Sequence, residues 1–280
     1  YLNFRQGCYS TIGNQNFLGS FVVTLLTLSC GLYIMDKRPH TLLLCVVFFG
    51  GLLACNTRGC WLAFLTIIFF SLLLLTKKKF ITPFLTLIAA FTMVAVAMNY
   101  SGKNHISGRA KTIENQISMK EEAGSGRVQI WKMTIKAIEE NPILGTGPEN
   151  LKEHFIRTNN EGFLAYKKRT RKTVDKAHSE FLHIAAVSGI PAAIIFVLFI
   201  FVIFWKNRKS IFNYNSSTIL FFAILVYLLQ AQFNISIIYV APLFWALLGV
   251  FARDDLINKD EFYSNNCKFL PSKAANTILG

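Results

Sequence analysis

Residues 181–205, FLHIAAVSGIPAAIIFVLFIFVIFW, hold no Asp, Glu, Lys or Arg. A soluble core helix of that length needs a polar face, so the run reads as bilayer-spanning. Residues 8–35, 41–57, 59–76, 80–102 and 210–252 are equally free of charge. The apolar character is global as well: 53% of the 280 residues are hydrophobic and 16% charged, against about a quarter charged in soluble domains. Twenty-six Phe residues and so few charges exclude a disordered chain. The net charge of +14 does not imply a nucleic-acid partner, because much of the excess sits in short connectors between apolar runs, where orientation explains it. The six cysteines form no CxxC pair and read as small buried apolar residues rather than metal ligands or disulfides.

The expected fold is all-α, a polytopic transmembrane helical bundle of about seven spans: 16–35, 41–56, 60–76, 81–98, 181–205, 217–233 and 236–252. Spans one to four fall in residues 1–98 and spans five to seven in 181–252. Between them lies a large helical loop, 99–180, and after them a tail, 253–280. Three basic connectors, Asp36–His40, Lys77–Lys79 and Lys206–Lys209, and the tail fall on the same side. That side is therefore expected to be cytoplasmic, and Asn56–Gly59, the long loop and a tight turn near Asn234 extracytoplasmic. The chain opens without Met or a signal-peptide pattern, so further upstream spans are expected.

The loop 99–180 carries fifteen Lys/Arg and ten Asp/Glu, and it is too long for a structureless connector. Val128, Trp131, Ile135 and Ile138 recur at spacings of three, four and three, which predicts an amphipathic helix burying that face. Ser125 is a candidate N-cap and Asn141-Pro142 a stop. A second helix is expected from about Asp175 into the fifth span.

Three side chains stand out chemically. Arg58 is the only Asp, Glu, Lys or Arg between Arg38 and Lys77. It sits where two spans meet on the external side; a snorkelling anchor beside Trp61 is the plain alternative, but anchors come in numbers and this one is alone. Arg127 opens the amphipathic helix, where free N–H groups and the dipole already favour anions, although a solvated surface Arg is the commoner use. His178 lies where the loop meets the fifth span and suits a general base at neutral pH. If that stretch is helical, Asp175, three residues earlier, is placed to orient its ring. His183 satisfies the same spacing argument. Arg109 adds positive field for an anionic substrate. The Lys167–Lys172 cluster fits either anionic head groups or a solvated loop tip. There is no DxD, GxxxxGK[ST] or GxGxxG, so metal and nucleotide mechanisms have no visible ligands, and no cofactor is expected.

Several segments, in order, resemble the O-antigen ligase/polymerase (Wzy-C) superfamily. They are Ser10–Leu18 opening a span, Thr57–Trp61 at an external turn, and Gly124–Arg127 with Trp131 in the large loop. Pro142–Gly147 follows, and then His178–Leu182 at the loop's end. The likeness covers about 10–252 and corresponds to the C-terminal part of family members; Ser179 stands where the family often has Asn. It implies a glycan donor on undecaprenyl diphosphate, a glycan or lipid acceptor, and a site at the outer face of the bacterial cytoplasmic membrane. On that reading Arg58 and Arg127 stabilise the diphosphate leaving group without a metal, and His178 takes the acceptor's proton with inversion at the sugar carbon. A flippase without chemistry predicts charged mid-membrane helices and internal repeats, neither of which is seen. A scaffold would leave Arg58, Arg127 and His178 independent of one another.

Overall fold

The computed structural model describes residues 8, 10–74, 78–101, 126–171 and 173–253. Every regular element among them is helical. In chain order these are α1 (Gln15–Asp36), α2 (Pro39–Cys55), α3 (Arg58–Leu74), α4 (Ile81–Ser101), α5 (Arg127–Glu140) and α6 (Leu151–Thr158). They continue with α7 (Asn160–Thr170), α8 (Glu180–Ser188), α9 (Ile190–Lys206), α10 (Arg208–Ile211), α11 (Ser216–Ala231) and α12 (Ala241–Ala252). Short 3-10 turns cover Ser10–Ile12 and Lys78–Phe80.

Helix α1 is the axis of the bundle and packs on α2, α3, α4 and α11. Its small residues make this possible. A Cβ on Gly19 would lie 2.2 Å from the Thr57 hydroxyl, and one on Gly31 would lie 2.6 Å from Ile219, so both helices approach to backbone distance. The buried hydroxyls of Ser20, Thr24, Thr27 and Ser29 bond the carbonyl four residues earlier, which satisfies them inside an apolar helix.

The helix ends follow from local chemistry. Asn14 caps α1 by accepting from Asn16 N–H at 2.8 Å, and Lys37 closes it in the left-handed region. Pro39 starts α2 with its φ already set. Asn56, at φ 58°, ends it, so that two residues, Asn56 and Thr57, turn the chain into α3. Asn215 and Thr218 form a reciprocal capping box on α11.

Ends of different helices gather at two poles. Met35, Leu72, Phe80 and Asn215 share one cavity, so the C-terminal ends of α1 and α3 and the starts of α4 and α11 lie together beside the basic connectors. The other pole holds the start of α1, the α2–α3 turn and the end of α11. Two described segments, Gln15–Asp36 and Lys78–Tyr100, are apolar and at least 18 residues long; five further apolar helices have 10–17 residues. Large apolar side chains such as Leu43, Val47, Leu65, Phe69, Ile195 and Val202 face outward, far beyond the scattered exposure normal in water.

Five expectations change. The apolar run 181–205 is two helices, because Gly189, at φ 89°, breaks it. There the chain crosses the Pro142–Gly147 segment at backbone contact. Ile190 N–H donates to Pro142 O (2.8 Å), Thr146 N–H to Ala186 O (2.8 Å) and Gly147 N–H to Val187 O (3.0 Å), which occupies carbonyls left free at the end of α8. The last apolar helix begins at Ala241 rather than 236, since Gln232–Val240 is irregular backbone; Asn234, Ile235 and Val240 in it are buried. Non-helical backbone is tolerated in that setting when protein surrounds it.

A helix does occupy 127–140, but it buries Ile130, Met133, Thr134 and Ala137, whereas Ile135 is 46% exposed. The reason is a core that periodicity in one helix does not reveal. Helices α5–α8 close round Leu151, Phe155, Phe163, Tyr166, Val174, Ala177 and Ala186, which selects the Ile130/Met133 face. Gly126, not Ser125, sits at the N-cap position, and Ser125 lies outside the described residues. Finally, the helix expected from Asp175 starts at Glu180, and Thr173–Ser179 is non-helical.

Candidate functional site

At the pole away from the basic connectors, a buried polar network underlies the helix ends. Ser20 donates to Gln230 Oε1 at 2.6 Å, and Asn234 Nδ2 donates to Ser20 Oγ at 3.0 Å and to Asn16 O at 3.4 Å. All three side chains are buried. The network ties the start of α1 to the end of α11 and to the loop Gln232–Val240. Sequence reading passed over this network; the available signal was a Gln and an Asn within a charge-free run.

That loop meets each segment that carries a candidate side chain. Arg58 is the first residue of α3, and its neighbour Gly59 lies against Phe233, where a Cβ would stand 3.0 Å from the Phe233 Cβ. Trp131 of α5 faces the same ring at 6.4 Å between centroids. Arg127 precedes Trp131 by one helical turn and so shares its side of α5. The His178 segment is attached through Glu180, whose carboxylate accepts a hydrogen bond from the Ser236 backbone N–H; the Ser236 hydroxyl in turn lies 3.1 Å from Tyr227 Oη.

Arg127 is half-buried, and its start-of-helix position is enforced by Gly126. With φ 81°, and with Tyr166 where a Cβ would stand at 2.8 Å, only glycine fits. Burial, and then the positive charge of Arg58, lower the pKa of the Arg127 guanidinium, opposed by Cys60 and Tyr166. Two cations from distant parts of the chain thus lie within electrostatic reach of each other. The indole N–H of Trp131 is buried without an acceptor among the described residues, which leaves a donor beside them.

His178 is half-buried at φ 52°, two residues before Glu180. The helical pairing expected for Asp175 does not occur, since the segment is not helical; Asp175 is exposed, and its charge acts on His183. His183, in α8, has its pKa lowered by burial and by Lys176, with Glu149 and Asp175 opposing. Burial also raises the Glu180 pKa, against the Ser236 hydrogen bond, which lowers it. Arg109 lies outside the described residues. Of the basic cluster at the end of α7, Arg169 is held by Gln129 at 2.7 Å. Among the described residues no group of three or more His, Cys, Asp or Glu is arranged to hold a metal ion.

The family model for O-antigen ligase (Wzy_C) matches residues 43–197, more than half of the chain. The chain belongs to the O-antigen ligase family. The matched span begins in α2 and ends in α9, so it takes in Arg58, Arg127, His178 and the Pro142–Gly147 crossing. O-antigen ligase family membership makes this a membrane protein of O-antigen and polysaccharide biosynthesis, of the ligase or polymerase kind. No curated protein matches the sequence.

Proposed function

We propose that the chain is a multi-pass glycosyltransferase of the bacterial cytoplasmic membrane that moves a glycan from undecaprenyl diphosphate to an acceptor hydroxyl on the outer face. The observation that supports this most is that Phe233 packs on both Gly59, next to Arg58, and Trp131, one turn from Arg127, which brings the two helix starts together, so that the two charges act on each other. Holding two guanidinium groups together costs stability unless an anion joins them, and a diphosphate, with paired oxygens for bidentate contacts, suits them. The chain lies in the bilayer with its basic connectors cytoplasmic and the α5–α8 unit outside, in keeping with the exposed apolar side chains and the short, polar-ended helices.

In the reaction the acceptor oxygen attacks the anomeric carbon from the face opposite the diphosphate. The new C–O bond forms as the bond to the diphosphate oxygen breaks, which inverts the carbon. The bonding electrons leave with the diphosphate, where Arg58 and Arg127 stabilise the added negative charge. His178 accepts the proton released by the acceptor hydroxyl. The left-handed backbone at His178, fixed between the α5–α8 core and the Glu180–Ser236 hydrogen bond, orients that ring. Asp175 contributes as a local charge beside the histidine segment, and Arg109 as a further positive charge for the anionic donor. Whether the acceptor is a lipid core or a growing chain on the same carrier separates a ligase from a polymerase.

The test uses a cell that makes the cognate polymer. Arg58→Ala, Arg127→Ala and His178→Ala, each at wild-type protein level, are expected to abolish polymer attachment or elongation while lipid-linked precursor accumulates. Normal polymer in the His178 variant would remove the base assignment, and normal polymer in all three would leave transport or scaffolding as the better reading.

A further inference from the structure

The pole with the basic connectors contains a cavity that the transfer reaction does not use. Its volume is about 220 Å³, and its walls come from α1, α3, α4 and α11. The lining is apolar, with Ile67, Phe84 and Leu87 typical of it, while Tyr214 and Asn215 supply polar groups at the basic end. Along α1 it runs from Thr27 to Met35, a rise of about 12 Å at 1.5 Å per residue. That is less than half of a hydrocarbon core about 30 Å thick, so the cavity spans one leaflet.

Its two ends differ. Toward the polar pole, Phe91 stacks on Phe49 at 4.2 Å and reaches Phe64 at 6.2 Å, which closes the inner end. At the other end Phe80, a lining residue, packs on Tyr214 at 5.2 Å and carries the ammonium of Lys79 at 4.9 Å over its ring. Lys78 and Lys79 are both exposed there. Leu72 and Ile88 line the cavity yet are 50% and 47% exposed, so it opens sideways between α3 and α4.

We infer that this cavity holds one acyl chain of an anionic phospholipid from the cytoplasmic leaflet, with the head group on Lys78 and Lys79. The inference rests on the membrane reading above but not on the chemistry at Arg58 and Arg127. The length fits within one leaflet and the opening faces the bilayer. Of the charges next to lining residues, Asp36 is held by the Arg38 N–H and the Thr41 hydroxyl, which leaves the exposed Lys78 and Lys79 for an anion. Phe49, Phe64 and Phe91 separate the cavity from the opposite pole, where the arginines lie.

The test is native mass spectrometry of the full chain, purified in detergent with equal amounts of phosphatidylglycerol and phosphatidylcholine of identical acyl chains. One retained phosphatidylglycerol per protein is expected, favoured over phosphatidylcholine by about thirtyfold, as two surface lysines would give. Lys78→Glu with Lys79→Glu should remove the preference. Ser71→Phe, which fills the cavity, should remove retention of both lipids. Equal retention of the two lipids by the unaltered protein overturns the proposal without any variant, and so does displacement of phosphatidylglycerol by added polyprenyl phosphate. Arg58→Ala separates the two proposals: it should keep the lipid preference while losing transfer. Normal transfer with the preference intact would sink only the proposed function.

Discussion

Arg127, at the first turn of α5, feels the positive charge of Arg58, at the first turn of α3, although the two lie in different folded units of the chain. Neither helix needs this proximity for its own packing. The α5–α8 core is built from the Ile130/Met133 face, and α3 is held by α1 and α11. What joins the two arginines is Phe233, packed between Gly59 and Trp131. A like-charge approach enforced by packing is the arrangement expected of an anion site.

If so, Arg127→Gln should separate stability from activity. Removing one charge of a repelling pair should leave the thermal midpoint unchanged or slightly raised in detergent. Transfer should fall by about 10²–10³, the usual effect of losing one charge-stabilising group. A midpoint that drops together with activity would mark Arg127 as structural.

Glu180 fastens the histidine segment to the loop Gln232–Val240 through Ser236. Glu180→Gln keeps an acceptor and should be mild. Glu180→Ala leaves the half-buried Ser236 N–H without this partner, at about 1 kcal/mol. Thermal unfolding of the two variants should rank them in that order, and the Ala variant should also lose transfer through displacement of His178.

The crossing at Gly189 should tolerate no side chain. An added Cβ would stand 1.9 Å from Ile143 O, and φ is 89°. Gly189→Ala should therefore cost more than about 2–3 kcal/mol and show as low accumulation in the membrane fraction. Ser188→Ala, one residue away and exposed, should be silent in the same assay.

The pH dependence of the α5–α8 unit has a definite sign. The His183 pKa is lowered, chiefly by burial, so the unfolded chain binds the proton more readily than the folded one. The contribution of His183 is whole above the ordinary histidine pKa of about 6.5 and is lost as pH falls below it. The thermal midpoint should drop between about pH 7 and 5, and His183→Gln should reduce that slope. An unchanged slope in the variant would show that other groups control it.

How much of this was legible in the sequence depends on range. Charge-free runs located the apolar helices, because excluding charge from a helix is a local property of the chain. Arg58 was visible for the same reason, as a lone charge between apolar runs. The division of 181–205 was not read, although Gly189 and Pro191 were in view. Such a pair also occurs in continuous spans, and what fixes the break at Gly189 is its crossing with the distant Pro142–Gly147 segment. The buried face of α5 was misassigned because α6, α7 and α8 choose it. Asp175 was placed beside His178 on the assumption of a helix that begins only at Glu180. Asn234 is legible only as a turn, and its network with Ser20 and Gln230 is not, since a network is defined by partners far apart in sequence. Arg109 has no place in the described structure.

The central claim is that Arg58 and Arg127 together take the charge of a departing diphosphate. The most direct measurement is release of polyprenyl diphosphate from a synthetic lipid-linked glycan by the purified full chain in lipid vesicles, with acceptor present. The account predicts release that depends on acceptor and falls at least about 10²-fold in Arg58→Ala and in Arg127→Ala, with the double variant little worse than either. Undiminished release in either single variant would contradict it.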